Sequence, residues 1–290
     1  MNLNRADIDL FYKLFLGLML FVNKDKKILE QDIDEGAFMS HSIEQRIMVR
    51  DALYENPQLF DAFIEKNRAN LNQEELDIVS SWKHFKKGTF FLYAHKKNYS
   101  IFMDASKPTK TYGVIAIGNT FDEFFPYPPV IVETTLLPFK NQIIYDGYIS
   151  AQNIFFGSGV KRDLKEIYEK SKFTYGIITS LPFNKEGNQD EVAQLKFYLK
   201  NEHNRDLYID EIIALANKNA TLKTTYHQEM GRIYSRDCAK QLRGIGLKGW
   251  WFALLEGIII ASGRTKMDLE GTIKNMVPEG RKEHVYLFQA

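Results

Sequence analysis

Cysteine is almost missing from this 290-residue chain, which carries a single thiol, Cys238. One cysteine excludes an internal disulfide, a multi-cysteine zinc site and an iron–sulfur cluster within one chain. It also fits a reducing compartment. The histidines, His41, His84, His95, His203, His227 and His284, form neither H-E-x-x-H nor H-x-x-x-H. His227-Gln228-Glu229 has the H-x-E spacing of zinc deaminases without their P-C-x-x-C, so no metal site is expected. Charge of one sign is lacking too: a formal net charge of +1 sets up no global field that calls for nucleic acid or membrane. Neither Leu14–Val22 nor Trp250–Ala261 approaches the roughly 20 apolar residues of a spanning helix. Asp7 and Asp9 stand where a secretory signal would be positive. The expectation is a soluble cytoplasmic protein with no membrane partner and no cofactor. Internal repeats and low-complexity tracts are missing as well.

The residues present organise around a block rich in β-branched and aromatic side chains, Gly88 to Ser150. Strands are predicted at 89–95, 98–103, 111–117, 129–137 and 142–149, with a further one at 152–156 and a last one at Ile177-Ile178. The short Lys96-Lys97 and Lys140-Asn141 links predict hairpins and mostly antiparallel pairing. Asp146-Gly147 reads as a turn. Before the sheet, helices are predicted at 5–22, at 43–55 behind a Ser42–Gln45 capping box, from Asn56-Pro57 to about 68, and from Asn72 to Lys86-Lys87-Gly88. After it, a helix is predicted at 161–172, a linker at Asn184–Asp190, helices at 190–201, 206–218 and 222–243, an apolar helix at 250–261, and a strand at His284–Phe288. The fold class is α+β. A helical N-terminal region (1–87) and a helical C-terminal region (190–290) flank a mostly antiparallel, barrel-like sheet (88–183).

Three stretches carry a resemblance: Ser81-Trp82-Lys83-His84-Phe85, Leu136–Lys140 with Ile144-Tyr145-Asp146-Gly147, and Tyr175–Pro182. Over roughly 74–182 they are similar to sequences of uncharacterised bacterial cytoplasmic proteins. That resemblance implies no activity and supplies no catalytic residue.

Candidate chemistry is sparse. Gly157-Ser158-Gly159, between a strand and a helix, is shorter than the G-x-S-x-G of a nucleophile elbow. With Lys161 and Arg162 it makes an anion-binding loop, or else a plain glycine turn; it has neither G-K-[ST] nor G-x-G-x-x-G. The sheet carboxylates are Asp104, Glu133 and Asp146. Glu133-Thr134-Thr135 lacks the lysine of a metal-nuclease Glu-x-Lys. Glu256, within Trp251–Ile260, is expected to be buried in a helix and paired. The basic stretch 218–248 sets seven Lys and Arg against Glu229 and Asp237. Arg232, Arg236, Lys240 and Arg243 fall on one helix face, suited to phosphates, and Trp250-Trp251 would stack bases if exposed. The alternative for that stripe is a solvated face docked on the acidic N-terminal region. These signals predict a non-catalytic binding protein with a macromolecular partner, nucleic acid ahead of protein. The alternative is a hydrolase or metal-dependent nuclease built from the sheet carboxylates or Glu256.

Overall fold

The computed structural model describes the chain except Gln31, Arg68–Ala69, Asn153 and Asn184–Gln189. It divides into two compact units, Met1–Gly187 and Asn188–Ala290. The expected linker at Asn184–Asp190 lies outside the described residues apart from Asp190, which caps the first helix of the second unit. No described helix is long and apolar enough to cross a membrane.

In the first unit, α1 (Arg5–Lys26) starts at Asn4, whose side chain accepts from the Asp7 amide. It buries Phe11, Leu14, Phe15, Leu18 and Val22, the apolar stripe of a 3.6-residue period. After α2 (Glu35–Ser40), the expected capping box forms at Ser42–Gln45, and the expected helix start at Asn72 proves to be a second one. Ser42–Gln45 opens α3 (Ile43–Glu55), α4 spans Gln58–Asn67, and Asn72–Glu75 opens α5 (Gln73–Ser81). This last helix ends earlier than expected, in a 3₁₀ turn at Trp82–His84, and Lys86-Lys87-Gly88 already belongs to the sheet. The buried Trp82 ring meets Phe11 and Phe15 edge-on at 5.9 and 6.0 Å.

The sheet comprises β1 (Lys86–His95), β2 (Ser100–Asp104), β3 (Thr111–Ile115), β4 (Val130–Phe139) and β5 (Gln142–Gln152), with a short α6 (Phe121–Phe124) before β4. The fold is α+β, as expected. β1 pairs with both β2 and β4, so the ladder closes in the order β1-β2-β3-β5-β4. Only β3 with β5 is parallel, over two residue pairs. The Lys140-Asn141 link is the expected hairpin, with Phe139 opposite Gln142. Every residue of β2 and β3 is buried, because both faces are covered. Phe90, Phe102 and Tyr112 fill one side, with Phe90 about equally far from the other two rings at 6.1 Å. On the other side, Ile101 and Met103 pack under Leu164 and Tyr168 of α7 (Ser158–Tyr175). Three expectations fail here. The described residues beyond Gln152 do not continue as a strand to 156. Ile178 makes a single parallel bridge to Tyr112, not a strand. Asp146-Gly147 lies inside β5.

The second unit departs further from expectation. The helices α8 (Glu191–Leu199) and α11 (Ala220–Gly244) are present, but 206–218 divides into α9 (Glu202–Leu207) and α10 (Ile209–Ala216). The apolar helix expected at 250–261 is a hairpin of β6 (Trp251–Leu255) and β7 (Ile258–Gly263). Its turn residues, Glu256 and Gly257, both have positive φ, 51° and 85°, the type I′ pattern that matches strand twist. After α12 (Lys266–Met276) and α13 (Glu279–Lys282), β8 (Tyr286–Gln289) pairs with β6 and completes a three-stranded sheet, β7-β6-β8. The region 190–290 is thus mixed, not helical with one strand.

Candidate functional site

The clearest site is a cleft of about 940 Å³ in the first unit, between α3 and the outer wall of β1, β4 and β5. Its apolar flanks are Ile43 and Ile47 of α3, one helical turn apart, with Phe124, Phe125 and Ile149. Strand register arranges the polar wall. Lys87 lies opposite Thr135, Thr89 opposite Glu133, and Glu133 opposite Ser150.

A bulge positions the floor. Thr134 pairs with Ile149 and Leu136 with Tyr145, so Thr135 alone faces three residues of β5. Gly147 supplies the positive φ (87°) that this excursion needs. The Thr134 hydroxyl donates to the Tyr148 carbonyl at 2.7 Å and fastens it. The bulge buries the Asp146 side chain fully against α3. There its Oδ1 accepts from the Tyr148 amide and its Oδ2 from the Tyr54 hydroxyl, both at 3.1 Å. Arg50 Nε lies 3.7 Å from Oδ2. Arg50 Nε and Nη2 donate to Asp51 Oδ1 at 3.0 and 2.8 Å, and Lys87 Nζ donates to the same oxygen at 2.9 Å. The guanidinium also lies over the Tyr148 ring, 5.2 Å from its centroid.

Burial pushes the Asp146 carboxyl up to about 6, although Arg50 and the hydrogen bonds from Tyr148 and Tyr54 pull the other way. Burial and the neighbouring Asp146 charge raise the Tyr54 phenol well above its ordinary value. For Asp51, burial is outweighed by the hydrogen bonds from Lys87 and Arg50, and its carboxyl stays below the usual range. Thr135 Oγ1 is buried beside the Tyr54 phenol and the Asp146 carboxylate, and it favours the ionised form of each. Asp146 does not line the cleft. It holds Arg50 from behind, and Arg50, Asp51 and Lys87 face the opening.

Asp146 is therefore the one sequence candidate in this cluster, and it is a buried strand residue in place of the expected turn. Glu133 is exposed on the cleft wall. Asp104 is buried elsewhere, paired with Lys86 at 3.0 Å and accepting from Ser106 and Tyr112. Glu256 is not buried in a helix. Its side chain is half exposed at the hairpin turn, 3.9 Å from Arg281. Gly157 caps α7 without a side-chain bond, and Ser158, Gly159, Lys161 and Arg162 are exposed, with Arg162 3.9 Å from both Asp163 and Glu166. In the basic stripe, Arg232 is held by Glu229 at 2.7 Å. Arg236, Lys240 and Arg243 are exposed, and none of the described residues forms an ion pair with them. Trp250 and Trp251 are half-buried, with Arg264 5.3 Å from the first ring and Lys266 6.0 Å from the second. Among the described residues no group of three or more His, Cys, Asp and Glu gathers to hold a metal ion.

The sequence reading missed Arg50, Asp51, Lys87 and Tyr54. The spacing of Ile43, Ile47, Arg50 and Asp51 around a helix that also buries Val49 and Leu53 was a partial signal. What joins them to Asp146, far along the chain, is the bulge. No protein-family model, curated protein or solved structure matches this chain.

Proposed function

We propose that this is a binding protein that holds a small organic molecule in the cleft between α3 and the β1–β4–β5 wall. The observation that carries this reading is the floor: two cations from different elements converge on one carboxylate oxygen at the base of a roomy, apolar-flanked cleft. Pockets of this size, mainly apolar with a few convergent polar groups, are the usual form of small-molecule sites. Rigid elements hold the polar groups here, which favours recognition. Asp146 has the raised carboxyl expected of a general acid or base, but it is sealed behind Arg50, so its role is to position Arg50. The test is a thermal-shift screen of a chemically diverse small-molecule library on the wild type and on Ser150→Trp. Ser150 is an exposed strand position at the cleft, where tryptophan suits the strand and fills the opening. Molecules that raise the melting temperature of the wild type alone support the reading. No stabilising molecule, or equal stabilisation of both proteins, overturns it.

A second reading rests on a different observation, the exposed Arg236, Lys240 and Arg243 of α11, with which no described residue forms an ion pair. They favour a polyanion such as nucleic acid as a macromolecular partner. Some five-stranded barrels bind oligonucleotides on the outer face of their second and third strands. In this barrel α7 covers that face, with Thr111 of β3 donating to Ser171 at 2.8 Å. A nucleic-acid site would therefore be the α11 stripe and not the barrel.

A further inference from the structure

Asp51 makes an unusual contact. Adjacent residues on a helix do not face each other, yet Arg50 folds along α3 to give Asp51 Oδ1 two hydrogen bonds, while Lys87 reaches across from β1 to give the same oxygen a third. One carboxylate oxygen thus sits where two cations converge on the cleft floor. Asp51 is also the more easily withdrawn of the two carboxylates: its side chain is one-third exposed, against none for Asp146, while the cations Arg50 and Lys87 are 11% and 41% exposed. Turned to solvent, it would leave two convergent donors, Arg50 and Lys87, without their shared acceptor.

From this we infer that the cleft takes a monocarboxylate with an apolar body, and that Asp51 occupies the place of the ligand's carboxylate until the ligand binds. The inference rests on the cleft being a binding site and names the class of its ligand. Charge selects one negative unit. With Asp51 turned away, Arg50 keeps the Asp146 carboxylate behind it at 3.7 Å and Lys87 loses its ion pair, so the two cations carry one positive unit beyond Asp146, enough for a single anion. Glu133, on the same wall, opposes a second one. The guanidinium and ammonium suit a carboxylate through short charge-assisted hydrogen bonds. The body would lie along Ile43, Ile47, Phe124 and Ile149, which offer no polar partner to a second charged group.

The test is isothermal titration of the intact protein with octanoate, octyl phosphate, octanol and octylamine. Octanoate is expected to bind wild type more tightly than the other three and not to bind Ser150→Trp. Lys87→Gln should weaken octanoate roughly tenfold by removing one charge-assisted donor. Asp51→Asn should tighten it by roughly tenfold, because the internal competitor for both cations is weakened. That last sign separates a resident stand-in from a carboxylate that merely supports the fold. If octanol, octylamine or octyl phosphate binds as well as octanoate and is blocked by Ser150→Trp, the carboxylate inference falls and the cleft reading stands. An unchanged or weakened octanoate affinity in Asp51→Asn, with the fold intact by circular dichroism, also overturns the inference alone. If no probe and no library molecule binds in a manner that Ser150→Trp blocks, both fall.

Discussion

At the scale of single residues, Asp146 is the most consequential side chain in the first unit. It is a carboxylate without exposure, supported by one phenol, one amide and one guanidinium. Its carboxyl is raised from 3.8 to about 6, so the folded state binds its proton more tightly than the unfolded state does. The stability this group contributes is therefore fully present below pH 3.8 and is lost as pH rises through about 6. The loss amounts to roughly 3 kcal/mol, because each tenfold difference in proton affinity between the two states is worth about 1.36 kcal/mol. Depressed carboxyls such as Asp51 and Glu75 slope the other way, so the quantity to measure is a difference. Melting temperatures of wild type and Asp146→Asn across pH 4 to 7 should converge or cross as pH rises, with the wild type losing ground between 4 and 6. Parallel profiles would place the Asp146 carboxyl at an ordinary value. Tyr54→Phe removes a buried donor to the same carboxylate and should destabilise by about 1–3 kcal/mol at neutral pH. Chemical denaturation would read this, and a neutral result would show that the hydroxyl contributes nothing net.

At the scale of elements, two apolar or turn-like stretches show what could and could not be read in advance. The helices of the first unit were legible because their start signals are local: a Ser or Asn with Gln or Glu three residues on satisfies the first free amides within a single turn. The five strands were legible from their β-branched content and hairpin spacings. Trp250–Ala261 was misread because a continuous apolar run looks the same as a buried helix or as two strands, and Glu256-Gly257 is a weaker turn signal than Asn-Gly. Asp146-Gly147 was misread in the opposite sense: the pair marks a bulge within a strand, and a bulge is defined by the partner strand, which local sequence does not contain. The candidate cleft stayed hidden for the same reason, since Arg50, Lys87 and Asp146 meet only after the barrel has set its register. The hairpin offers a check. Glu256 carries φ 51°, a conformation that asparagine tolerates better, so Glu256→Asn should raise the melting temperature by the equivalent of about 0.5–1 kcal/mol. A loss of stability would mean that the Arg281 contact or another feature of Glu256 outweighs the turn. Gly231 tests the packing of α11 on β8. A Cβ there would meet Tyr286 Cβ at 2.3 Å, so Gly231→Ala should destabilise by about 1–3 kcal/mol despite alanine's better helix propensity.

At the scale of the whole molecule, each of the two units carries its own candidate binding surface, and the two make different forecasts about salt. The α11 stripe, if it holds phosphates, should bind DNA or RNA with log affinity falling linearly in log salt. Arg236→Gln with Lys240→Gln should lower that slope by about two while leaving the fold stable. No binding at low salt would remove nucleic acid as a partner. The cleft offers a largely buried Arg50 and apolar walls, and a ligand held there should lose less affinity over the same salt range. Hydrogen exchange of the intact protein, with and without the library molecule that most raises its melting temperature, tests the central claim most directly. The cleft account predicts slowed exchange at the amides of α3, at 86–89 of β1 and at 147–150 of β5, with 220–244 unchanged. Protection confined to 220–244, or none at α3, β1 and β5, would contradict it.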